Sequence, residues 1–94
     1  MYNNTKNRSR TEIVSRILDA TNRGATKTKI MYRAFLSYTQ LKEYLPVLIE
    51  NNLIKYHDET ETFWTTEKGL KFLKTHNAIG ELLHTTIGKD DESI

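Results

Sequence analysis

The chain has 94 residues and a mass of 11.0 kDa, which is enough for one small domain and excludes a large catalytic scaffold such as an eight-stranded α/β barrel. With 37% hydrophobic residues, no cysteine, no signal peptide and no membrane-spanning apolar run, it is expected to be a cytoplasmic globular protein without disulfides or thiolate metal sites. The net charge is only +2, but it is unevenly distributed: residues 1–55 contain ten Lys/Arg and four Asp/Glu, which gives +6, whereas residues 56–94 carry −4. This asymmetry favours a polyanion as the partner of residues 1–55.

Two helices are predicted in the first third of the chain. The first begins at residues 9–12, a capping box in which Ser9 caps the helix and Glu12 reaches back to it, and ends before Gly24, which tolerates left-handed backbone. The second is shorter. It begins at Thr26, a favourable N-cap, and carries Ile30 and Ala34 on its inner face.

A third helix has the clearest start signal. Ser37-Tyr38-Thr39-Gln40 is a second capping box, with Ser37 as the cap and Gln40 at the third helical position. Apolar residues then recur at three- and four-residue steps and predict a buried face: Leu41, Tyr44, Leu45, Leu48 and Ile49. Pro46 predicts a kink within this helix, and Asn51-Asn52 predicts its end.

A β-hairpin and a last helix follow. Residues 53–57 and 62–65 predict two strands joined by an acidic loop, and their alternation points Ile54, Tyr56, Phe63 and Thr65 to the core. Lys55, His57 and Trp64 then face outward. Thr66 caps the last helix, whose first turns complete the core through Leu70, Phe72 and Leu73. The apolar stripe continues at Ile79, Leu82, Leu83 and Ile87.

The order helix, helix, helix, strand, strand, helix is the winged helix-turn-helix plan (α-α-α-β-β-α), mainly α with a small β-hairpin and an extended C-terminal helix. We expect residues 1–8 to form a flexible basic arm and residues 9–75 to form the winged helix-turn-helix domain. Residues 76–88 are expected to be a C-terminal dimerisation helix, and residues 89–94 a disordered tail.

Several separated motifs resemble one known group of proteins. They are Arg8-Ser9-Arg10-Thr11-Glu12-Ile13, Lys27-Thr28-Lys29-Ile30-Met31-Tyr32, Leu36-Ser37-Tyr38 with Gln40-Leu41, Tyr44-Leu45, Leu53-Ile54 and Thr66-Glu67-Lys68-Gly69. In this order they resemble archaeal winged helix-turn-helix transcriptional regulators, and more closely the branch related to small ten-kilodalton archaeal DNA-binding proteins. The resemblance implies a homodimer that pairs through its C-terminal helix and acts as a transcriptional regulator or small chromatin-type protein.

In a helix-turn-helix, the start of the second motif helix meets base edges in the major groove, and neighbouring cations meet phosphates. The start of helix 37–51 therefore offers Tyr38, Thr39, Lys42 and Glu43 to the bases. Thr39 is suited to a thymine methyl, and Lys42 to guanine O6/N7 or to a phosphate. The predicted set of residues contacting double-stranded DNA is Arg8, Arg10, Lys27, Thr28, Lys29, Arg33, Ser37, Tyr38, Thr39, Gln40 and Lys42. Gln40 belongs to it only if the capping box leaves it free, and Tyr38 has the alternative of packing at the turn.

The apolar stripe of the last helix predicts a homodimer interface, because the helix cannot fold back to bury Ile79, Leu82, Leu83 and Ile87. Trp64 has several interpretations: it stacks on the DNA backbone edge, packs on the C-terminal helix, or joins the dimer contact. If the strand register slips by one residue, Trp64 belongs to the core instead.

No catalytic or cofactor motif is present, and an enzyme is not expected. The histidines His57, His76 and His84 lack a third ligand at a metal-binding spacing, so no metal is predicted. No small-molecule ligand is predicted either, because a ligand-responsive repressor of this length would need a pocket that only a dimer interface could supply. The alternative to DNA binding is a winged helix that acts as a protein–protein adaptor. The acidic loop between the strands favours this alternative, because DNA phosphates would repel the negative charges of the loop.

Overall fold

The computed structural model describes residues 9–83 and confirms the predicted order of elements. It contains α1 (Arg10–Ala20), α2 (Lys27–Ala34), α3 (Tyr38–Glu50), β1 (Ile54–His57), β2 (Thr62–Thr65) and α4 (Glu67–Leu83). The predicted arm at residues 1–8, the end of the predicted dimerisation segment and the predicted tail at residues 89–94 lie outside the described residues. α4 runs without interruption across residues 75 and 76, the predicted boundary between the domain and the dimerisation helix.

Each helix begins where a side-chain oxygen accepts a hydrogen bond from a backbone N–H three residues on, as the cap residues predicted. Donor–acceptor distances lie between 3.0 and 3.3 Å for the four caps Ser9, Thr26, Ser37 and Thr66. The reciprocal bond forms only in α3, where the Ser37 N–H donates to Gln40 Oε1 at 3.0 Å. The predicted reach-back by Glu12 was wrong, because its carboxylate is held by Arg16 at 3.3 Å.

The core lies where α1, α2, α3, the two strands and the start of α4 meet. Its most completely buried apolar side chains are Ile17, Leu18, Ile30, Leu41 and Leu48. Burial of such a side chain contributes about 1.5–3 kcal/mol relative to exposure. Helical periodicity therefore identified the residues that hold α1, α2 and α3 together.

Two residues predicted to be buried are not. Ile49 is 41% exposed, because it lies at the edge of the apolar face of α3, on a flank that borders an open groove. Tyr56 is 42% exposed although it is on the predicted face, with its ring centroid 4.7 Å from that of Phe63. Tyr56 pairs directly with Phe63, which is 5% exposed, so Phe63 and not Tyr56 fills the core at this level of the hairpin.

α3 continues through Pro46 to Glu50, so this proline does not end the helix. The chain then leaves the helix at Asn52, which has φ +61°. Asparagine tolerates this left-handed backbone better than most other residues, as the sequence predicted.

The end of α1 is bonded to the hairpin by hydroxyl groups. Thr65 Oγ1 donates to the Leu18 carbonyl and lies 2.7 Å from Thr21 Oγ1, which is fully buried. Ala25 pairs with Phe63 as an isolated antiparallel bridge on the free edge of β2. These contacts fix the hairpin against α1 and thereby fix its position relative to α3.

Trp64 faces outward, as the predicted register requires, and the alternative that placed it in the core was wrong. Its indole lies against Gly24, where an added Cβ would stand 2.5 Å from the ring. It also stacks on His57 at 5.5 Å and donates from Nε1 to Thr62 Oγ1 at 2.9 Å. The side chain therefore packs on the α1–α2 turn and its own hairpin.

Within residues 9–83, no helix is both long enough and apolar enough to cross a membrane.

Candidate nucleic-acid interface

The connection between α2 and α3 is a tight turn of three residues. Phe35 ends α2 in left-handed conformation (φ +56°), Leu36 enters the core, and Ser37 begins α3. Because the reciprocal capping box uses both Ser37 and Gln40, the direction in which α3 leaves the turn is fixed by two hydrogen bonds.

The first turns of α3 expose the side chains predicted to meet bases. Tyr38, Thr39, Lys42 and Glu43 are all exposed. Lys42 Nζ lies 5.8 Å from the centroid of the Tyr38 ring, within the range of a cation–π contact. Tyr38 is 54% exposed and borders the same groove as Lys42, so its ring lies at the protein surface beside the Lys42 ammonium.

Ser37 and Gln40 are engaged within the protein. Ser37 Oγ accepts from the Gln40 N–H at 3.1 Å, and Gln40 Oε1 accepts from the Ser37 N–H at 3.0 Å. The capping box uses the amide oxygen of Gln40 and not its amide nitrogen. The two N–H groups on that nitrogen are therefore the part of this side chain that can meet a ligand.

The cations of α2 have different surroundings. Lys27, Thr28 and Lys29 are exposed at its first turn, and Lys27 borders the same groove as Lys42. Arg33 instead donates from Nη1 to the Ala20 carbonyl at 3.1 Å, at the C-terminus of α1. Arg33 thus stabilises the packing of α1 on α2, and part of its guanidinium is occupied there.

Arg10 lies on the opposite flank of α3 from Lys27. It borders a second groove, between α1 and α3, together with Val14, Glu43 and Val47. Basic side chains therefore stand on both flanks of α3. Arg8 lies outside the described residues.

The hairpin tip is acidic and exposed. Asp58, Glu59 and Glu61 all lie in the loop between β1 and β2, and Glu61 has a left-handed backbone (φ +55°). Negative charge at this tip opposes a close approach to phosphate.

Two exposed aromatic residues were missed by the sequence analysis. Tyr32 is 82% exposed near the end of α2, and Phe35 is 70% exposed in the turn. A signal for Phe35 was available, because a tight turn between two helices commonly requires left-handed backbone at the residue that ends the first helix. Phe35 occupies that position, and its side chain is directed to solvent.

On α4, side chains beyond Leu73 leave the core. Ile79 and Leu83 are 53% and 54% exposed and lie four residues apart on one side of the helix, and Leu82 is 70% exposed. Ile87, the last residue of the predicted dimer stripe, lies outside the described residues.

Residues 9–83 contain no cluster of three or more His, Cys, Asp or Glu side chains that could hold a metal ion. His76 stacks on Phe72 at 6.5 Å, and His57 stacks on Trp64. His84 lies outside the described residues. Both described histidines thus serve as packing partners of aromatic rings.

Comparison with known proteins identifies the architecture. A family model described as winged helix-turn-helix matches residues 7–84. The chain is also similar to the crystal structure of Sso10a-2, a DNA-binding protein from Sulfolobus solfataricus, with 24% sequence identity and a TM-score of 0.71. That similarity covers 93% of this chain and 97% of the other. No curated protein sequence matches. These findings confirm the resemblance and the fold that the motifs implied.

Proposed function

The chain belongs to the winged helix-turn-helix family, and on this premise we propose that it is a sequence-specific, homodimeric binder of double-stranded DNA with α3 in the major groove. The similar protein Sso10a-2 is described as DNA-binding, which agrees with the proposal. The function would be that of a transcriptional regulator or a small chromatin-type protein.

One observation carries the proposal: basic side chains from different elements flank the exposed start of α3. Lys27 of α2 and Lys42 of α3 border one groove, and Arg10 of α1 borders the groove on the other flank. A helix in the major groove has a phosphate backbone on each side of it. Cations on both flanks therefore match the charge that a bound duplex would present.

Side chains on the exposed start of α3 would read the bases. Thr39 has a methyl group suited to the C5-methyl of thymine, and Lys42 has an ammonium suited to guanine O6 and N7 or to a phosphate. Tyr38 holds the Lys42 ammonium close to the protein surface, which reduces the side-chain entropy that Lys42 would lose on binding. Gln40 contributes through its amide nitrogen.

The acidic tip of the hairpin would stay away from the backbone of the duplex. Because Asp58, Glu59 and Glu61 are exposed together, an approach to phosphates would bring like charges into contact. The hairpin tip would thus limit the orientation of the protein on DNA, while α2 and α3 supply the favourable contacts.

The dimer would form through the second half of α4. Ile79 and Leu83 present an exposed apolar face, and an antiparallel pair of these helices about a two-fold axis would bury each face against its copy. Two copies of α3 would then meet half-sites about one helical turn apart, or a multiple of it.

The salt dependence of binding tests the proposal. Anisotropy of a labelled duplex, titrated at several salt concentrations, should give a log–log slope near −5 if a dimer makes about six phosphate contacts. Lys27→Ala should weaken specific and random duplexes alike and make the slope less steep by about one for each phosphate that the variant no longer neutralises. Lys71→Ala, an exposed lysine of α4, is the control and should leave the slope unchanged. A wild-type slope near zero would exclude DNA binding of this kind.

A protein–protein adaptor is the second candidate, and the exposed aromatic residues favour it. Tyr32 and Phe35 present large apolar surfaces at the helix-turn-helix, and aromatic side chains are enriched at protein interfaces. An adaptor would show no salt-dependent affinity for duplex DNA. The anisotropy measurement therefore separates the two functions.

A further inference from the structure

A groove beside α3 has the lining of a small-ligand site. Its volume is about 300 Å³, and it lies between α2, α3 and β2. Apolar side chains make up most of the lining, and Lys27 and Lys42 contribute to it from two different helices. Ligand sites typically combine a mostly apolar cavity of about this size or larger with a few polar groups that orient the ligand.

The floor of the groove belongs to the core. Leu45 and Phe63 are 6% and 5% exposed, so their positions are set by packing within the protein. Pro46 and Ile49 form a wall that is open to solvent. The exposure of Ile49, on a helix face that the sequence predicts to be buried, results from this unfilled space.

We propose that the groove binds a small carboxylate with an apolar body, of the size of a substituted benzoate. A ring placed against Leu45, Ile49 and Phe63 would remove from water both its own apolar surface and that of the groove. The carboxylate would then lie at the rim, within reach of the flexible side chains of Lys27 and Lys42, whose ammonium groups are suited to charge-assisted hydrogen bonds. A cavity of about 150 Å³ holds benzene, so the groove has room for a ring and an acid group.

The lining also argues against other occupants. A base edge carries several hydrogen-bonding groups, which the apolar floor formed by Leu45 and Phe63 would leave without partners. A helix or strand of another protein requires an extended cleft, whereas this groove is confined to about 300 Å³. A compact amphipathic anion can make apolar contacts with the floor of the groove and ionic contacts with the lysines at its rim.

Binding at this site would affect DNA binding, and this consequence rests on the proposed function. Lys27 and Lys42 are members of the candidate DNA interface, and a carboxylate bound between them would occupy the donors that phosphates or bases require. A bound ligand would therefore compete with the duplex and release the protein from it.

The test uses the full chain without DNA, so that its result does not depend on the proposed function. Two-dimensional ¹H–¹⁵N NMR spectra are recorded during titration with 4-ethylbenzoate and, separately, with the neutral 4-ethylbenzamide. We expect a Kd of about 1 mM for the benzoate, an affinity within the limit that ligand efficiency sets for a molecule of about eleven non-hydrogen atoms. Shifts should concentrate at Leu45, Ile49 and Phe63, and the amide should bind at least about threefold more weakly.

Variants locate the site. Lys27→Met and Lys42→Met keep the apolar stem but remove the charge, and each should weaken the benzoate about threefold to fivefold. Lys71→Met removes an exposed lysine from α4 and should leave the affinity unchanged. Ile49→Trp should fill the groove and abolish binding, with retention of the fold checked in the same spectra.

Any of four results would overturn the site. They are absence of saturable binding, equal affinity for benzoate and benzamide, shifts that map away from the groove, and an Ile49→Trp variant that is folded and still binds. In a second measurement, the benzoate should displace a labelled duplex from the wild type but not from Ile49→Trp. Equal displacement from both proteins would exclude competition through the groove.

Discussion

Two glycines of α4 allow one substitution to be tested in opposite environments. Gly69 lies in the first turn, where an added Cβ would overlap the Leu53 carbonyl oxygen and stand 2.7 Å from Thr65 Cγ2. Gly80 lies near the other end of the described helix, where a Cβ would meet no atom within 4 Å among the described residues. We predict that Gly69→Ala destabilises the protein and that Gly80→Ala stabilises it.

The magnitudes follow from the two environments. Crowding a packed site costs about 1–3 kcal/mol, and Gly69 belongs at the upper end because the nearest atom is backbone. That carbonyl accepts a hydrogen bond from the Thr66 N–H at 3.0 Å, so a shift of Leu53 would also disturb the start of α4. Alanine stabilises a helix by up to about 1 kcal/mol relative to glycine, which offsets part of this cost. The net loss at Gly69 is about 2 kcal/mol, against a gain of about 0.5–1 kcal/mol at Gly80.

Chemical denaturation with urea measures both effects, followed by circular dichroism and by the fluorescence of Trp64, which is the only tryptophan of the chain. In thermal denaturation followed by the same signals, a loss of about 2 kcal/mol corresponds to a decrease in Tm of roughly 8–16 °C for a domain of this size. All proteins are compared at the same two concentrations, because association would make the measured stability concentration-dependent. A Gly69→Ala variant as stable as the wild type would refute the close approach of α4 to the hairpin, and a destabilised Gly80→Ala would refute the open environment of Gly80.

Other predictions concern the proposed DNA complex. Lys29→Ala should weaken specific and random duplexes similarly, which anisotropy at two salt concentrations checks. Thr39→Ala and Lys42→Ala should change the preference at defined base pairs by about 1–3 kcal/mol, and selection of binding sequences that returns the wild-type motif would contradict base reading by these residues. Leu83→Glu should give a folded monomer with much weaker DNA binding, because it places a charge in the proposed dimer contact. Sedimentation velocity checks this, and a variant that remains dimeric would rule out the contact.

Features that depend on neighbours along the chain could be read from the sequence. The caps Ser9, Thr26, Ser37 and Thr66 act over three residues, and each begins the helix that it predicted. The pair of Tyr38 and Lys42 follows from four-residue helical spacing. These interactions require only that a local segment adopts its preferred conformation, so the order of elements and the exposed start of α3 were accessible without coordinates.

Contacts between distant segments were decided by the tertiary structure. Arg33 was predicted to face phosphates, yet it donates to the carbonyl of Ala20, a partner that only the packing of α1 on α2 brings within reach. Lys27 and Lys42 border one groove because the turn at Phe35 brings the start of α2 and the start of α3 to the same side of the protein. Ile49 has the same periodic spacing as its buried neighbours, but hydrophobic spacing defines only the direction of a face. Whether that face is covered depends on where the hairpin and α2 end, and no local pattern in the chain encodes this.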